Sequence, residues 1–176
     1  MKNVSELYTK AKHPVRILQF GEGNFLRAFV DYAVDVANEE NGFDGSVAVI
    51  MPRSGKTERF AKQDDVYTVC LRGQQDGKVY KENRVITSVQ TVLSARDEYD
   101  TFMALAHEDS LEFVISNTTE AGITFDEKDA FTDCPPSTFP AKLTKFLYER
   151  YTFYKGAADK GLTMLPTELN LSLIHI

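Results

Sequence analysis

Four of the six residues from Val15 to Phe20 are apolar, between Pro14 and Gly21, and such a run bounded by turn residues predicts a buried strand. The period then changes. Over residues 24–38, Phe25, Phe29, Tyr32, Ala33 and Val36 recur at helical spacing, which predicts a helix with that stripe inward, Asn24 as N-cap and Asn41-Gly42 just past its end. A valine-rich run at 46–50, stopped by Pro52, predicts a second buried strand. Residues 66–71 and 79–89 alternate apolar and polar around Gln74-Gln75-Asp76-Gly77. An Asp-Gly turn between alternating runs predicts a β-hairpin, an antiparallel excursion on the sheet edge. Residues 96–106 form a second helical pattern with Tyr99, Phe102, Met103 and Ala106 inward and Ser94 as N-cap. A buried strand follows at 111–116, and residues 126–136, polar and proline-containing, form a surface loop. A third helix at 139–154 has Leu143, Phe146, Leu147, Arg150 and Tyr151 on one broad face, and a last strand at 161–165 is closed by Pro166.

Repeated strand–helix units predict an α/β fold: a doubly wound, mostly parallel sheet of Rossmann-like form with an antiparallel hairpin excursion. Ligands of such sheets bind beyond the carboxyl ends of the strands. Three ends are therefore of interest: Gly21 to Arg27, Met51 to Lys56, and Ser116 to Glu120.

Composition narrows the function. A chain of 176 residues with 43% hydrophobic content buries one good core. Net charge is −6 with a pI near 5.1 and no basic run, which argues against nucleic acid or an anionic membrane as partner. No apolar stretch approaches the roughly 20 residues of a spanning helix. The segment Met1-Lys2-Asn3-Val4-Ser5-Glu6 lacks a signal-peptide core. Cys70 and Cys134 have neither metal-ligand nor paired spacing and read as reduced thiols of a cytoplasmic protein, with no metal site expected.

The chemistry begins at Phe20-Gly21-Glu22-Gly23-Asn24-Phe25-Leu26-Arg27-Ala28. A glycine turn between a buried strand and a helix lets bare backbone N–H groups approach a pyrophosphate at the helix N-terminus. The G-x-G-x-x-G fingerprint is incomplete, since Leu26 holds its third position, so by pattern alone an ordinary strand–turn–helix fits equally well. Gly21 and Gly23 would touch the phosphates, Asn24 and Phe25 open the helix, and Arg27 either brings charge to the phosphates or is an exposed helix arginine. Phe25 either walls the site or joins the core. At the second strand end an NAD site usually carries an acid for the ribose hydroxyls. Here Met51-Pro52-Arg53-Ser54-Gly55-Lys56 offers none, and Arg53, Ser54 and Lys56 could accept the 2′-phosphate of NADP. At the third end, Ser116-Asn117-Thr118-Thr119-Glu120 groups amide, hydroxyl and carboxylate where a nicotinamide ribose and carboxamide could sit, or else caps a helix. Glu120 reads as ordering that site, not as its acid or base. His13, His107 and His175 are not catalytic candidates.

Gly-x-Gly-Asn-Phe-x-Arg-Ala after the first strand resembles the polyol-specific long-chain dehydrogenases, the mannitol dehydrogenase family. ILQFGEGNFLRAFVD from Ile17, FVISNTTEAGI from Phe113, FPAKLTKFLYERY from Phe139 and KGLTMLPTEL from Lys160 are similar to its tagaturonate reductase branch. Phe29 stands where the mannitol and fructuronate branches carry His, which favours that branch over those alternatives. The resemblance implies a cofactor, NAD rather than NADP, a small sugar-acid substrate, and hydride transfer interconverting tagaturonate and altronate in uronate catabolism. Taken with the local reading of the three strand ends, it places Phe20, Gly21, Glu22, Gly23, Asn24, Phe25, Arg27, Arg53, Asn117, Thr118 and Glu120 at the cofactor. It also implies a lysine base, helped by Asn and His, in a helical C-terminal domain whose matching sequence this chain does not contain. Glu168 departs from the Cys-Asp-Asn of mannitol relatives. A stand-alone nucleotide-binding module without catalysis is the reading from another class. Residues 1–169 are thus expected to be a dinucleotide-binding domain. Leu171-Ser172-Leu173-Ile174-His175-Ile176 is what a transposon-end sequencing adapter encodes, so 170–176 is expected to be a non-native tail on a fragment inactive by itself.

Overall fold

Strand β1 (Val15–Phe20) sends alternate side chains to opposite faces of a sheet, and that alternation divides the interior in two. Ile17 lies in one layer with Val47, Val49, Met51 and Ile115; Leu18 and Phe20 lie in the other with Ala48, Ile50 and Val114. The structure, a computed structural model, describes residues 3–52, 57–119 and 122–168. After β1 come α1 (Asn24–Asn41), β2 (Ser46–Met51), the single turn α2 (Glu58–Ala61), β3 (Tyr67–Gln75), β4 (Lys78–Ile86), β5 (Val89–Ser94), α3 (Tyr99–Ala104), β6 (Phe113–Ser116), α4 (Phe139–Phe153) and β7 (Thr163–Pro166).

Five parallel strands form the main sheet in the order β5-β2-β1-β6-β7. The chain winds outward from β1 to β5, then returns to the other side of β1 for β6 and β7, so strand order reverses between β1 and β6. Phe20 is in register with both Ile50 and Ser116, and the glycine turn therefore leaves the sheet at that reversal. Helix α1 covers one face through Leu26, Val30 and Val34. The other face is covered by Phe102 of α3, Ala106 of the following 3-10 turn and Phe146 of α4. Phe20 meets Phe102 and Phe139 edge-on at centroid distances of 5.9 and 5.0 Å, pairs worth about 0.5–1.5 kcal/mol each beyond their burial.

The expected hairpin turns at Asp76 and Gly77, both with positive φ (52° and 74°), as a two-residue turn matched to strand twist requires. It forms its own two-stranded sheet over α1 and adds no strand to the main sheet, contrary to the edge position expected. Its second run also ends earlier. Val89 opens β5, a parallel strand of the main sheet, where the alternation predicts the end of the hairpin's second run. No glycine or proline separates β4 from β5, so alternation alone could not divide them. The break is held by side chains: Thr87 donates its N–H to Asp35 at 2.7 Å, and Ser88 donates its hydroxyl to the Asp31 carbonyl at 2.8 Å.

Two helix faces differ from expectation. On α1, Phe25 and Phe29 are 51% and 57% exposed, while Leu26, Val30, Asp31, Val34 and Asp35 point inward. On α4 the inward residues are Lys142, Phe146 and Arg150, with Tyr151 exposed. In both helices, charged residues occupy the core face because backbone and hairpin groups satisfy them. Arg150 donates to the carbonyls of Ala106, Glu108, Leu111 and Lys160 at 2.8–3.0 Å, and Lys142 donates to Ser137 O at 2.6 Å. The N-cap of α1 is Gly23, not Asn24. Ser94 accepts the Asp97 N–H at 3.1 Å and caps the turn ahead of α3, which starts only at Tyr99.

Candidate functional site

The two glycines of the first turn are glycine for different reasons. Gly21 has φ +115°, a conformation L side chains rarely adopt, and a Cβ there would lie 3.3 Å from Leu26 Cδ1. Its N–H is bound to Ile50 O at 2.9 Å. Folding alone accounts for it. Gly23 has φ −64° and ψ 159°, open to any residue, and a Cβ there would meet nothing within 4 Å. No internal contact demands glycine at this position. The space beside it lies at the N-terminus of an 18-residue helix that has no side-chain cap and no acid in its first turn. Free N–H groups and the helix dipole make such an end an anion site. Leu26 is buried and packs beneath Gly21, filling the volume that the third fingerprint glycine would leave empty.

Arg27 is half-buried at the rim of this turn, not an ordinary exposed helix arginine. Its guanidinium donates to Asn24 Oδ1 at 2.5 Å and lies 5.7 and 5.6 Å from the ring centres of Phe60 and Tyr67. Its Nε is buried without a hydrogen-bond partner among the described residues. Glu22 is 3.7 Å from Arg59, and Phe25, stacked on Phe29 at 5.4 Å, stays outside the core. Phe20 is buried under the turn.

Below the turn lies a polar cluster that the pattern of the sequence did not reveal. Gln19 and Asp31 are fully buried; Asp31 Oδ2 accepts from the Tyr67 hydroxyl at 2.6 Å, and Gln19 Nε2 donates to Gly21 O at 3.2 Å. Burial pushes the Asp31 carboxyl up to about 7, against the opposing pull of Tyr67, Gln19 and Arg27. Burial, with Asp31 beside it, also raises the Tyr67 phenol. A signal existed in the glutamine that interrupts the apolar run of β1 and in Asp31 four residues beyond Arg27.

The third strand end is stitched to the last strand. Thr167 donates to Ser116 O from its N–H at 2.8 Å and from its hydroxyl at 2.7 Å; Asn117 Nδ2 donates to Thr167 O at 2.6 Å. The Ser116 hydroxyl donates to Glu168 Oε1, and the other Glu168 oxygen is buried without a hydrogen-bond partner among the described residues. Asn117 and Thr118 are half-buried here, across the switch point from Gly21 and Gly23. Arg53, with Ser54 and Lys56, and Glu120 lie outside the described residues. A separate hollow of about 560 Å³ sits between the loop after β6 and the start of α4, lined by Ile123, Phe125, Phe131, Pro140, Ala141 and Lys145. It includes none of the glycine-turn residues. Among the described residues no group of His, Cys, Asp and Glu is placed to hold a metal, and no helix is long and apolar enough to cross a membrane.

Residues 15–173 match the mannitol dehydrogenase Rossmann domain. The chain belongs to that family. It is 48% identical over 169 residues to the altronate oxidoreductase of Bacillus subtilis (strain 168), covering 96% of this chain and 35% of that protein. To the altronate oxidoreductase of Pectobacterium carotovorum subsp. carotovorum (strain PC1) it is 46% identical, covering 90% and 33%. The chain thus spans about a third of the length of the curated relatives it matches. Among solved structures, Pseudomonas fluorescens mannitol 2-dehydrogenase in ternary complex with NAD and D-mannitol superimposes with a TM-score of 0.73 at 24% identity, covering 92% of this chain and 35% of that one. A substrate-free D-sorbitol dehydrogenase gives 0.70 at 20% identity, covering 91% and 35%. The doubly wound fold expected from the sequence is the fold these structures share.

Proposed function

We propose that this chain is the dinucleotide-binding part of an NAD(H)-dependent oxidoreductase that interconverts tagaturonate and altronate. One observation carries the reading. Gly23 lies at an uncapped helix N-terminus, at the strand-order reversal, with empty space where its side chain would be. That cradle suits a pyrophosphate, and none of the described residues fills it. The names of the curated relatives supply the substrate class, a small sugar acid.

In this reading the main chain of Gly21, Glu22 and Gly23 and the first turn at Asn24 and Phe25 hold the phosphates, over the floor made by Phe20. Arg27 supplies positive charge at the rim. Asn117 and Thr118 flank the nicotinamide end, and Glu120 and Arg53, outside the described residues, are assigned to the cofactor from the sequence alone. The bound nicotinamide would donate a hydride to a ketone carbon. Residues 1–169 form this domain, 170–176 are a non-native tail, and the base belongs to a C-terminal domain that follows in the full-length protein, in the cytoplasm.

NADH titrated into the chain and followed by nicotinamide fluorescence should bind saturably, and more tightly than NADPH. Charge-assisted bonds to a 2′-phosphate are worth about 1.5–3 kcal/mol each, so engagement of Arg53 and Lys56 would instead favour NADPH by tenfold or more. No saturable binding of either nucleotide would overturn the proposal, and a strong NADPH preference would overturn its choice of NAD.

A further inference from the structure

The carboxyl ends of β6 and β7 hold a carboxylate that the fold leaves half used. Pro166 is in register with Ser116, and Ser116 with Phe20, so Glu168, two residues past that row, stands at the same end of the sheet as the glycine turn. The Ser116 hydroxyl holds its Oε1. Its Oε2 is withdrawn from water and accepts no hydrogen bond among the described residues. A carboxylate accepts at both oxygens, and a bare one in the interior costs the fold its desolvation. Tying β6 to β7 does not account for this acid. Thr167 already donates to Ser116 O from its N–H and its hydroxyl, and Asn117 Nδ2 donates to Thr167 O, so three hydrogen bonds make that tie without it.

We propose that Glu168 receives the carboxamide N–H2 of the bound nicotinamide: Ser116 pins Oε1, and Oε2 accepts from the ligand. The inference rests on the dinucleotide-binding reading above and adds a residue to its nicotinamide end. Two arguments select this donor. A doubly wound sheet binds a dinucleotide across its strand-order reversal, one nucleotide to each half of the sheet. The phosphate turn leaves β1 at that reversal, so the half built from β6 and β7 takes the nicotinamide nucleotide. Strand β7 lies two strand spacings from β1, about 10 Å, a span that a ribose and its ring can cover. The second argument is charge. A sugar acid brings a carboxylate of its own, which Glu168 would repel, whereas the carboxamide is neutral and has two N–H donors. Access is also provided. Asn117, Thr118, Thr167 and Glu168 are only half-buried, and the terminal torsion of a glutamate is broad, so Oε2 turns to the strand end while Oε1 keeps Ser116.

Three ligands titrated calorimetrically into the 176-residue chain separate the two ends of the cofactor. They are NADH, ADP-ribose, which lacks the nicotinamide, and reduced 3-acetylpyridine adenine dinucleotide, which has a methyl ketone in place of the carboxamide. Glu168→Leu should weaken NADH about tenfold or more, the loss of one hydrogen bond to a charged acceptor, and leave ADP-ribose unchanged. The acetylpyridine analogue has no N–H to give. It should bind wild type about tenfold or more weakly than NADH, and bind Glu168→Leu no more weakly than it binds wild type. Ser116→Ala unpins the carboxylate and should lose part of the preference for NADH over the analogue, a test that stands even if Glu168→Leu does not fold. Equal losses of NADH and ADP-ribose in Glu168→Leu overturn the proposal, because a distorted strand end weakens both. So does unchanged NADH affinity in a folded Glu168→Leu, an unaltered preference in Ser116→Ala, or a wild type that binds NADH and the analogue alike. Each of these leaves the dinucleotide reading standing. A wild-type chain that binds neither NADH nor ADP-ribose overturns that reading and the role of Glu168 together.

Discussion

Replacing Gly23 by valine separates a binding role from a folding role, because the structure gives this glycine no folding role. Its φ of −64° suits valine, and the added Cβ meets no atom within 4 Å. Valine is a poorer N-cap than glycine, so the variant should lose only about 1 kcal/mol of stability. Nucleotide binding should suffer far more. A side chain over the helix N-terminus keeps a phosphate from the N–H groups, and each charge-assisted bond lost is worth about 1.5–3 kcal/mol. Two such bonds correspond to about a hundredfold or more in affinity. Gly21→Ala supplies the contrast. At φ +115°, with Leu26 Cδ1 3.3 Å from the new Cβ, it should cost about 1–3 kcal/mol of stability through backbone strain. Urea denaturation and NADH fluorescence titration on both variants measure the two effects. A Gly23→Val chain that binds NADH with wild-type affinity would refute the phosphate-turn assignment.

Arg150→Met should destabilise the chain by about 3–5 kcal/mol, because four carbonyls on three segments lose their donor; urea denaturation within 1 kcal/mol of wild type would contradict this. Protonation of Asp31 favours the folded state, an advantage complete below about pH 4 and lost as pH rises through about 7, with up to about 4 kcal/mol at stake. Wild type should therefore lose stability between pH 5 and pH 8 that Asp31→Asn keeps, and an unchanging gap between the two would count against it. Phe125 and Phe131, 88% and 57% exposed beside the hollow, should drive self-association, so changing both to serine should delay elution on a sizing column; identical elution would show the patch to be inert. The chain alone should not reduce tagaturonate with NADH, and turnover above background would place the base within these residues.

Elements with a sharp period or hard boundaries were legible from the sequence. Pro14 and Gly21 fix β1, Asp76-Gly77 fixes the hairpin, and the glycine turn named the part of the site that local chain geometry determines. Legibility failed where polarity ran against position. Phe25 and Phe29 made an apolar stripe on α1, but the core face holds Leu26, Val30 and Val34 together with two aspartates. Periodicity places carboxylates outside because it cannot see a partner far along the chain. Here the partners Tyr67, Arg84 and Thr87 lie 36 to 52 residues away, on or just after the hairpin. The same blindness hid β5 behind a hairpin whose partner strand ends without a turn residue.

Asp31 and Asp35 give a comparison within one helix. They are the same residue type, one turn apart on the same buried face, and both look toward the hairpin. Asp35 is saturated: Arg84 reaches it at 2.7 Å, the Thr87 N–H at 2.7 Å and the Thr87 hydroxyl at 3.1 Å. Asp31 accepts from the Tyr67 hydroxyl at 2.6 Å, and its Oδ1 is without a hydrogen-bond partner among the described residues. An acid kept only to tie a helix to a hairpin should look like Asp35, since an unsatisfied carboxylate subtracts from the stability it is there to provide. The deficit falls on the aspartate nearer the glycine turn and joined to it through Gln19. That placement connects the hairpin to the site: its Tyr67 holds a buried acid beneath the glycine turn, next to the glutamine that is bonded to Gly21.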